Sequence, residues 1–352
     1  MSVSFFYHLM FVITLLSCIY MLSQTAKGEY LIKTFGKIGS ISLLIIVVTV
    51  LATLPIPWNS GGDRELYANA FIQMQMGFNE GISNDRLFSI YTKISSYIVD
   101  YAGWFFLTAF IYCINHYKLA QKLSKEYTYI IILMFFTSFM FYSYGVNTIR
   151  AGFAASFLLL AIANFKRVTL FYLFIFVAIG CHKSMMIPGL ALILSKYFNR
   201  TRLFFYGWLL SVLLSAVFGT YFEALFASMA IDSRTSYLMV SADDTHYKVG
   251  FRIDFILYSC LPIFMGYYYV VKRSFKDELY SLFLNTYILA NAFWVLVIRA
   301  NFSDRFAYLS WFIYPIILIY PLLKIRLFPN QNRVIVLVVF LHELFTYIMF
   351  LR

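Results

Sequence analysis

The sequence predicts an all-α, polytopic integral membrane protein built as a helical bundle. Of its 352 residues, 62% are hydrophobic and only 12% are charged, and the mean hydropathy is +0.76. Apolar runs of about twenty residues recur along the chain, and a helix of that length crosses roughly 30 Å of hydrocarbon. This composition excludes a water-soluble globular protein.

The apolar runs predict about twelve transmembrane helices in a single membrane domain, residues 1–352. The predicted spans begin near Ser4, Ile38, Tyr101, Thr128, Arg150, Val168, Ser184, Leu203, Arg252, Tyr280, Phe306 and Val334. We interpret the first run as a helix rather than a signal peptide, because no small-residue cleavage site follows it. The four cysteines are scattered, without the spacing of a metal site or a disulfide framework.

Alternate loops differ in charge, and this difference predicts the orientation of the chain. The loops after the odd-numbered spans hold 17 of the 28 basic residues but only four acids. Positive charge in short loops marks the cytoplasmic side. Both termini are therefore expected outside, together with longer loops near residues 59–100 and 223–250. The basic residues are interpreted as topology signals and not as a nucleic-acid surface.

Arg150 precedes one apolar run, and His182 follows the next, 32 positions later. A helix running inward from Arg150 and a short one returning from Val168 would bring both residues to the outer face. The returning run has about 14 residues, or roughly 20 Å of helix, so the turn at His182 is expected below the membrane surface. Each residue also has a structural interpretation, Arg150 as an interfacial anchor and His182 as a turn residue.

Further arginines are expected at the same outer face. Arg234 and Arg252 lie near the late external loop, and Arg299 and Arg305 bracket a turn that holds Asp304. Of the 11 basic residues predicted outside, eight are arginine. The planar fork of arginine suits phosphate oxygens better than an ammonium group does. The outer end of the helical bundle is therefore predicted to bind an anionic ligand.

The first external loop opens with the segment PIPWNSGGDRELYANAF. Asp63 follows a glycine pair that permits a tight turn. Its carboxylate is either a general base or an acceptor for sugar hydroxyls, or it caps a helix that begins at Arg64; both interpretations stay open. Tyr67 and Tyr144 fall near the outer boundary, where rings stack on sugars or form the interfacial aromatic belt.

Four stretches of the chain together resemble a family, the bacterial polysaccharide polymerases of the EpsG and O-antigen polymerase (Wzy) type. These stretches are GGDRELY, NTIRAGFAASFLLLAI, AIGCHKSMMIPG and SDRFAYLSWFIYP. The resemblance covers most of the chain as short motifs separated by generic hydrophobic sequence. It implies a glycosyltransferase of the bacterial inner membrane that uses neither a metal nor another cofactor. Such an enzyme transfers a glycan chain from undecaprenyl pyrophosphate onto a lipid-linked oligosaccharide repeat at the outer face.

The resemblance also implies residue roles and partners. Arg150 and Arg305 would bind the pyrophosphate, His182 would be the general base, and Asp63 would be an alternative base or bind the acceptor sugar. Candidates added from the predicted topology are Arg299 and Arg252 for pyrophosphate, and Asp304, Tyr144 and Tyr67 for sugar. The expected partners are the polyprenyl-pyrophosphate-linked donor and acceptor, the lipid bilayer and a chain-length regulator, with no nucleic acid.

Two other functions fit parts of the same pattern. A transporter or flippase of a lipid-linked or anionic glycan would use similar arginines, but in a central cavity with access from both sides. A membrane acyltransferase would also place a histidine in the membrane. That class takes its thioester donor from the cytoplasm, however, whereas His182 is predicted outside.

Overall fold

The computed structural model describes residues 3–26, 35–78, 85–228, 250–300 and 303–351. Within these ranges the chain is helical and contains no strand. The helices in chain order are α1 (Val3–Ala26), α2 (Gly36–Thr53), α3 (Asp63–Gln75), α4 (Arg86–Ser96), α5 (Tyr101–Leu123), α6 (Thr128–Phe136), α7 (Phe139–Val146), α8 (Ile149–Ala163), α9 (Val168–Cys181), α10 (Met186–Tyr197), α11 (Thr201–Ser228), α12 (Ile253–Tyr267), α13 (Glu278–Leu296), α14 (Ser303–Trp311), α15 (Tyr314–Lys324) and α16 (Gln331–Leu351).

Several of these helices are long and apolar enough to cross a membrane. Over the described ranges there are seven such stretches: Ser4–Gln24, Gly36–Thr53, Thr201–Gly219, Ile253–Lys272, Glu278–Leu296, Ser303–Lys324 and Gln331–Leu351. A helix begins near each of the twelve predicted starts, but those at α5, α6, α8, α9 and α10 are not among the seven stretches. The chain is a multi-pass membrane protein, while the number of about twelve spans and the external termini stay predictions.

One predicted span is broken. The helices α6 and α7 bend by 66° at their junction, which falls at Thr137 and Ser138. The Thr137 hydroxyl donates to the Leu133 carbonyl at 2.8 Å, and the Ser138 hydroxyl accepts from the Phe141 N–H at 3.2 Å. The same two backbone groups are also paired with backbone, because the Thr137 N–H donates to the Leu133 carbonyl and the Phe141 N–H donates to the Ser138 carbonyl, both at 3.0 Å, so the polar groups at the bend are satisfied within the chain.

The helices group into two compact units, Met1–His182 with Leu322–Arg352, and Lys183–Pro321. In the first unit, α1 packs against α16, α2 packs against α5 and α6, and α8 packs against α5, α7 and α9. In the second unit, α13 contacts each of α10, α11, α12 and α14.

The two predicted external loops differ in what the structure describes. The first, near residues 59–100, contains the short helices α3 and α4, which contact each other and α5. In the second, near 223–250, residues 229–249 lie outside the described part of the chain, and Arg234 is among them.

Candidate active site

Arg150 and His182 lie at the same end of a helix pair. The helices α8 and α9 pack against each other and are joined by a short turn, so the start of α8 lies near the end of α9. Arg150 is the second residue of α8, and His182 follows the last residue of α9. His182 is buried, at 3% exposure. Its backbone N–H donates to the Ala178 carbonyl at 2.9 Å.

Asp85 connects these two helix ends. Its Oδ2 lies 3.2 Å from Arg150 Nε, and the two side chains are 6% and 23% exposed. The Asp85 carboxylate also acts electrostatically on the Cys181 thiol, next to His182. Among the described residues, none of the guanidinium nitrogens of Arg150 makes a hydrogen bond, Nε included, and Asp85 is its ion-pair partner. The guanidinium is therefore held beside Asp85 by charge, and its N–H groups are available to hydrogen-bond another anion.

Tyr67 places α3 against the same helix end. Its hydroxyl accepts a long hydrogen bond, 3.4 Å, from the backbone N–H of Arg150. Its ring lies beside Trp104 and Phe88, with centroid separations of 5.9 and 6.5 Å. Tyr67 therefore joins α3, α4 and α5 to the start of α8.

The glycine pair before α3 belongs to a turn that the Glu65 carboxylate holds. Glu65 accepts backbone N–H groups from Asn59, Ser60 and Gly61, at 2.8, 2.8 and 2.9 Å. Gly61 has a φ of +69°, a conformation that glycine adopts without strain. The hydrogen bond from Asn59, followed by that from Gly61, lowers the pKa of Glu65 from its ordinary value.

Asp63 is the first residue of α3, after Gly62 at the N-cap position. No side chain caps this helix, so the capping interaction considered for Asp63 is not present. The half-buried Asp63 carboxylate makes no hydrogen bond or ion pair with the described residues. Its charge is favourable in the first turn of a helix, where the dipole is positive.

Arg64 is a buried cation without a carboxylate partner among the described residues. It is 6% exposed, its Nη2 donates to the Ala52 carbonyl at 3.0 Å, and its Cζ lies 3.9 Å from the centroid of the Phe105 ring. Its Nε is buried and makes no hydrogen bond there. Burial lowers the pKa of Arg64 to about 10, which still leaves the side chain charged near neutral pH.

Arg64 and Tyr144 line the same small hollow between α2, α5 and α7. Its volume of about 10 Å³ is enough for roughly one water molecule. Ile149, the neighbour of Arg150, also lines it. Tyr144 is only 1% exposed, so a sugar could stack on this ring only if the hollow opened.

The second unit holds the remaining candidates. Arg252 binds Asp254 in a bidentate ion pair, with N–O distances of 2.9 and 2.7 Å, and stacks on Phe255 at 3.7 Å. The hydrogen bond to Asp254 raises the pKa of Arg252, and Asp304 contributes a smaller electrostatic effect in the same direction. Arg252 and Asp304 therefore lie in one electrostatic neighbourhood.

Arg299 is bonded to the backbone of α11. Its Nη1 donates to the Ser215 carbonyl at 2.6 Å, and its Nη2 donates to the Ala216 carbonyl at 3.3 Å. It fits there because Gly219 has no side chain: a Cβ at Gly219 would lie 1.7 Å from Nη1. Arg305 is half-buried in the first turn of α14, next to Asp304.

The predicted candidates thus form two groups. The first unit contains Asp63, Tyr67, Tyr144, Arg150 and His182, and the second contains Arg252, Arg299, Asp304 and Arg305. No cluster of three His, Cys, Asp or Glu side chains suited to a metal ion occurs in the ranges that the structure describes.

Two residues of this site were not predicted from the sequence. For Arg64 the sequence does contain a signal of burial. Arg64, Ala68 and Phe71 are spaced so that they share one face of a helix, and all three are buried. For Asp85 the sequence contains no such signal, because its contact with Arg150 joins positions 65 residues apart. Both carry charge at the end of the unit that holds Arg150 and His182.

Comparison with known proteins agrees with the motifs. The family model described as EpsG family matches residues 40–352, while neither a curated protein nor a solved structure matches the chain. The matched range includes every candidate site residue and begins within α2. This coverage confirms the resemblance on which the predictions rested, and the chain belongs to the EpsG family.

Proposed function

We propose that this chain polymerises lipid-linked oligosaccharides at the outer face of the bacterial inner membrane. It transfers a glycan chain from undecaprenyl pyrophosphate onto the terminal sugar of a second lipid-linked repeat. The observation that carries the proposal is membership of the EpsG family over residues 40–352, which supports a membrane polysaccharide polymerase in general terms. The multi-pass helices suit a substrate anchored in the bilayer.

In the proposed step, a hydroxyl oxygen of the acceptor sugar attacks the anomeric carbon of the donor glycan. A new glycosidic C–O bond forms while the bond to the diphosphate breaks, and polyprenyl diphosphate leaves with the bonding electron pair. The hydroxyl proton passes to a base on the protein. Because negative charge grows on the leaving group, cations fixed beside it lower the barrier.

Arg150 and Arg64 are the cations in the first unit that best fit this role. Arg150 is held beside Asp85 by charge, and its guanidinium makes no hydrogen bond with the described residues, so its N–H groups can donate to two phosphate oxygens. Arg64 is buried without a carboxylate partner among the described residues. Charge in such a place is costly unless an anion compensates it. We therefore add Arg64 to the proposed diphosphate site.

His182 is the proposed general base, because it follows α9 at the end of the unit where Arg150 begins α8. Histidine is the side chain best suited to proton transfer near neutral pH. Asp63 is the alternative base or a ligand of the acceptor sugar. Its carboxylate makes no hydrogen bond or ion pair with the described residues and is half-buried.

The arginines of the second unit are weaker candidates, with different support. Arg252 would have to exchange Asp254 for phosphate, and Arg299 would have to leave two backbone carbonyls. Arg305 lies in the matched motif SDRFAYLSWFIYP, so we retain it for pyrophosphate, with Asp304 beside it for sugar. Arg305→Lys is expected to reduce polymer formation, because it keeps the charge and loses the fork.

The decisive experiment incubates the purified protein in vesicles with a synthetic lipid-linked repeat. A ladder of products supports the proposal, and Arg150→Gln, Arg64→Gln and His182→Ala should each abolish it. Arg86→Gln is the matched control, because this exposed arginine next to Asp85 carries the same charge without a contact to Arg64 or Arg150. It should leave the ladder intact.

The same assay separates the alternatives. A flippase would move the repeat across the bilayer without extending it. With an acyl thioester added as donor, an acyltransferase would increase the mass of the repeat by an acyl group and release the thiol. Either result from the wild-type protein, without a ladder, would overturn the proposed polymerase activity.

A further inference from the structure

A cavity of about 340 Å³ lies at the start of α2, the end of that helix remote from Arg64 and Ala52. It is lined by Lys37, Tyr117, Gln121, Lys125 and Thr128. These residues come from α2, α5, α6 and the turn between α5 and α6, all in the first compact unit. The volume is within the range of small-molecule binding sites.

The cavity is basic, and its lining contains no acid. Lys37 and Lys125 are exposed, and neither ammonium group makes a hydrogen bond or an ion pair within the described ranges. Tyr117 accepts a hydrogen bond from Gln121 at 2.9 Å, so its own O–H group can still donate. The cavity therefore offers two positive charges and a hydroxyl donor to an anion.

Two helices also begin beside this cavity. Lys37 is in the first turn of α2, and Thr128 is the first residue of α6. The first backbone N–H groups of a helix have no partner within the helix, and the helix dipole is positive there. Both helix starts therefore add to the positive potential of the two lysines.

The surroundings of the cavity resemble the boundary between headgroups and hydrocarbon. Three rings lie in series near the start of α2: Tyr20 stacks on Phe35 at 4.5 Å, and Phe35 meets Tyr129 at 4.9 Å with the ring planes tilted by 56°. Such aromatic groups are typical of the membrane interface. On α2, Ile38 is 82% exposed and Ile45, two turns later, is 59% exposed, so an apolar track leads from Lys37 along the membrane-spanning helix.

We propose that this cavity binds the phosphate of an anionic phospholipid, with Lys37 and Lys125 contacting the phosphate and an acyl chain lying along Ile38 and Ile45. Basic pockets between transmembrane helices are a known mode of binding for anionic headgroups. A free phosphate compound would use the same ammonium groups, but it would leave the apolar track uncovered. The site is separate from the proposed polymerase chemistry and does not depend on it.

The test is native mass spectrometry of the purified full-length chain with added phosphatidylglycerol or phosphatidylcholine of matched acyl chains. Phosphatidylglycerol should bind more tightly. The double variant Lys37→Ala/Lys125→Ala should weaken its binding about 30-fold, as expected for two lysines near an anionic lipid. The double variant Lys37→Arg/Lys125→Arg should retain most of the affinity, because both positive charges remain.

The matched control is Lys118→Ala/Lys122→Ala. These lysines are exposed on the same end of α5 but do not line the cavity, so the variant loses equal charge and should change the affinity less than threefold. Equal losses in the two alanine variants would overturn the proposal in favour of diffuse surface attraction. Equal binding of phosphatidylcholine, or equally tight binding of glycerol phosphate without acyl chains, would also overturn it.

Discussion

Asp85 and Arg150 form an ion pair that ties the start of α4 to the start of α8, with 3.2 Å between Oδ2 and Nε. The carboxylate is more deeply buried than the guanidinium, at 6% against 23% exposure. The pair therefore holds the partly exposed guanidinium by charge and takes up none of its N–H groups in a hydrogen bond. This arrangement orients a cation without consuming its capacity to bind a phosphate.

Removal of the Asp85 charge should weaken both folding and activity. We expect Asp85→Asn to lower the free energy of unfolding by about 1–3 kcal/mol, less than for a fully buried pair because Arg150 is partly exposed. The double variant Asp85→Asn/Arg150→Gln should cost less than the sum of the two single variants, because each single variant already breaks the pair. Denaturant unfolding in detergent measures all three variants; additive losses would contradict this coupling.

Arg64 should separate stability from function. A buried cation without a carboxylate partner is a cost to folding, whereas a methionine of similar volume adds apolar packing beside Phe105. We therefore expect Arg64→Met to unfold at a temperature equal to or above that of the wild type. It should nevertheless fail to bind undecaprenyl diphosphate.

The measurement is the rise in melting temperature that undecaprenyl diphosphate produces. The wild type and Arg86→Gln should both be stabilised, and Arg64→Met should not. If Arg64→Met is unstable but still stabilised by the lipid, Arg64 has a structural role only, through its bond to Ala52. If the wild type itself shows no stabilisation, the proposed donor site is wrong as a whole.

The turn before α3 should loosen in acid. The backbone N–H groups that bond to Glu65, that of Asn59 first, depress its pKa in the folded state. Its stabilising contribution is therefore complete above the ordinary glutamate pKa and is lost as the pH falls through the lower folded value. We expect the turn to be ordered at pH 7 and to open only at a pH below the ordinary glutamate pKa.

Trp58, which precedes the turn and is 48% exposed, can report this change. Its emission is obtained by subtracting the spectrum of Trp58→Phe. Acrylamide should quench this emission more strongly as the turn opens, because the indole ring becomes more accessible. Glu65→Gln should give high accessibility at every pH. Asp63→Asn is the control, because Asp63 makes no hydrogen bond with the described residues, and a wild-type profile is expected for it.

The helical membrane class could be predicted from the sequence because long apolar runs have few alternatives. The spatial relation of α8 and α9 followed from the same reasoning, since short connections place successive helices side by side. The helices α3 and α4 lie in the predicted first external loop, where a helix beginning at Arg64 was one of two open interpretations and α4 was not predicted. Their buried faces mix polar and apolar side chains, such as Arg64 with Phe71 and Thr92 with Phe88, so hydropathy alone does not mark them.

The partners of the charged residues could not be predicted in this way. Arg252 and Arg299 were grouped by their predicted side of the membrane, yet Arg252 is bound by Asp254 and Arg299 by carbonyls of α11. The first contact depends on the local backbone direction at the start of α12, and the second depends on the space at Gly219. A charge count supplies neither.

The close approach of α7 and α8 yields a last prediction. Small residues at a helix interface allow close packing, and a Cβ at Gly152 would lie only 2.4 Å from the Tyr144 carbonyl oxygen. Because that atom belongs to the backbone, Gly152→Ala must push α8 away from α7. We expect a loss of about 1–3 kcal/mol in stability and a displaced Arg150, two residues earlier, with reduced polymer formation.

Gly207→Ala in α11 is the matched control: no atom lies within 4 Å of its added methyl group, and alanine favours a helix by about 1 kcal/mol over glycine. Its melting temperature and product ladder should equal or exceed those of the wild type, whereas equal behaviour of the two variants would show that the contact between α7 and α8 does not position Arg150.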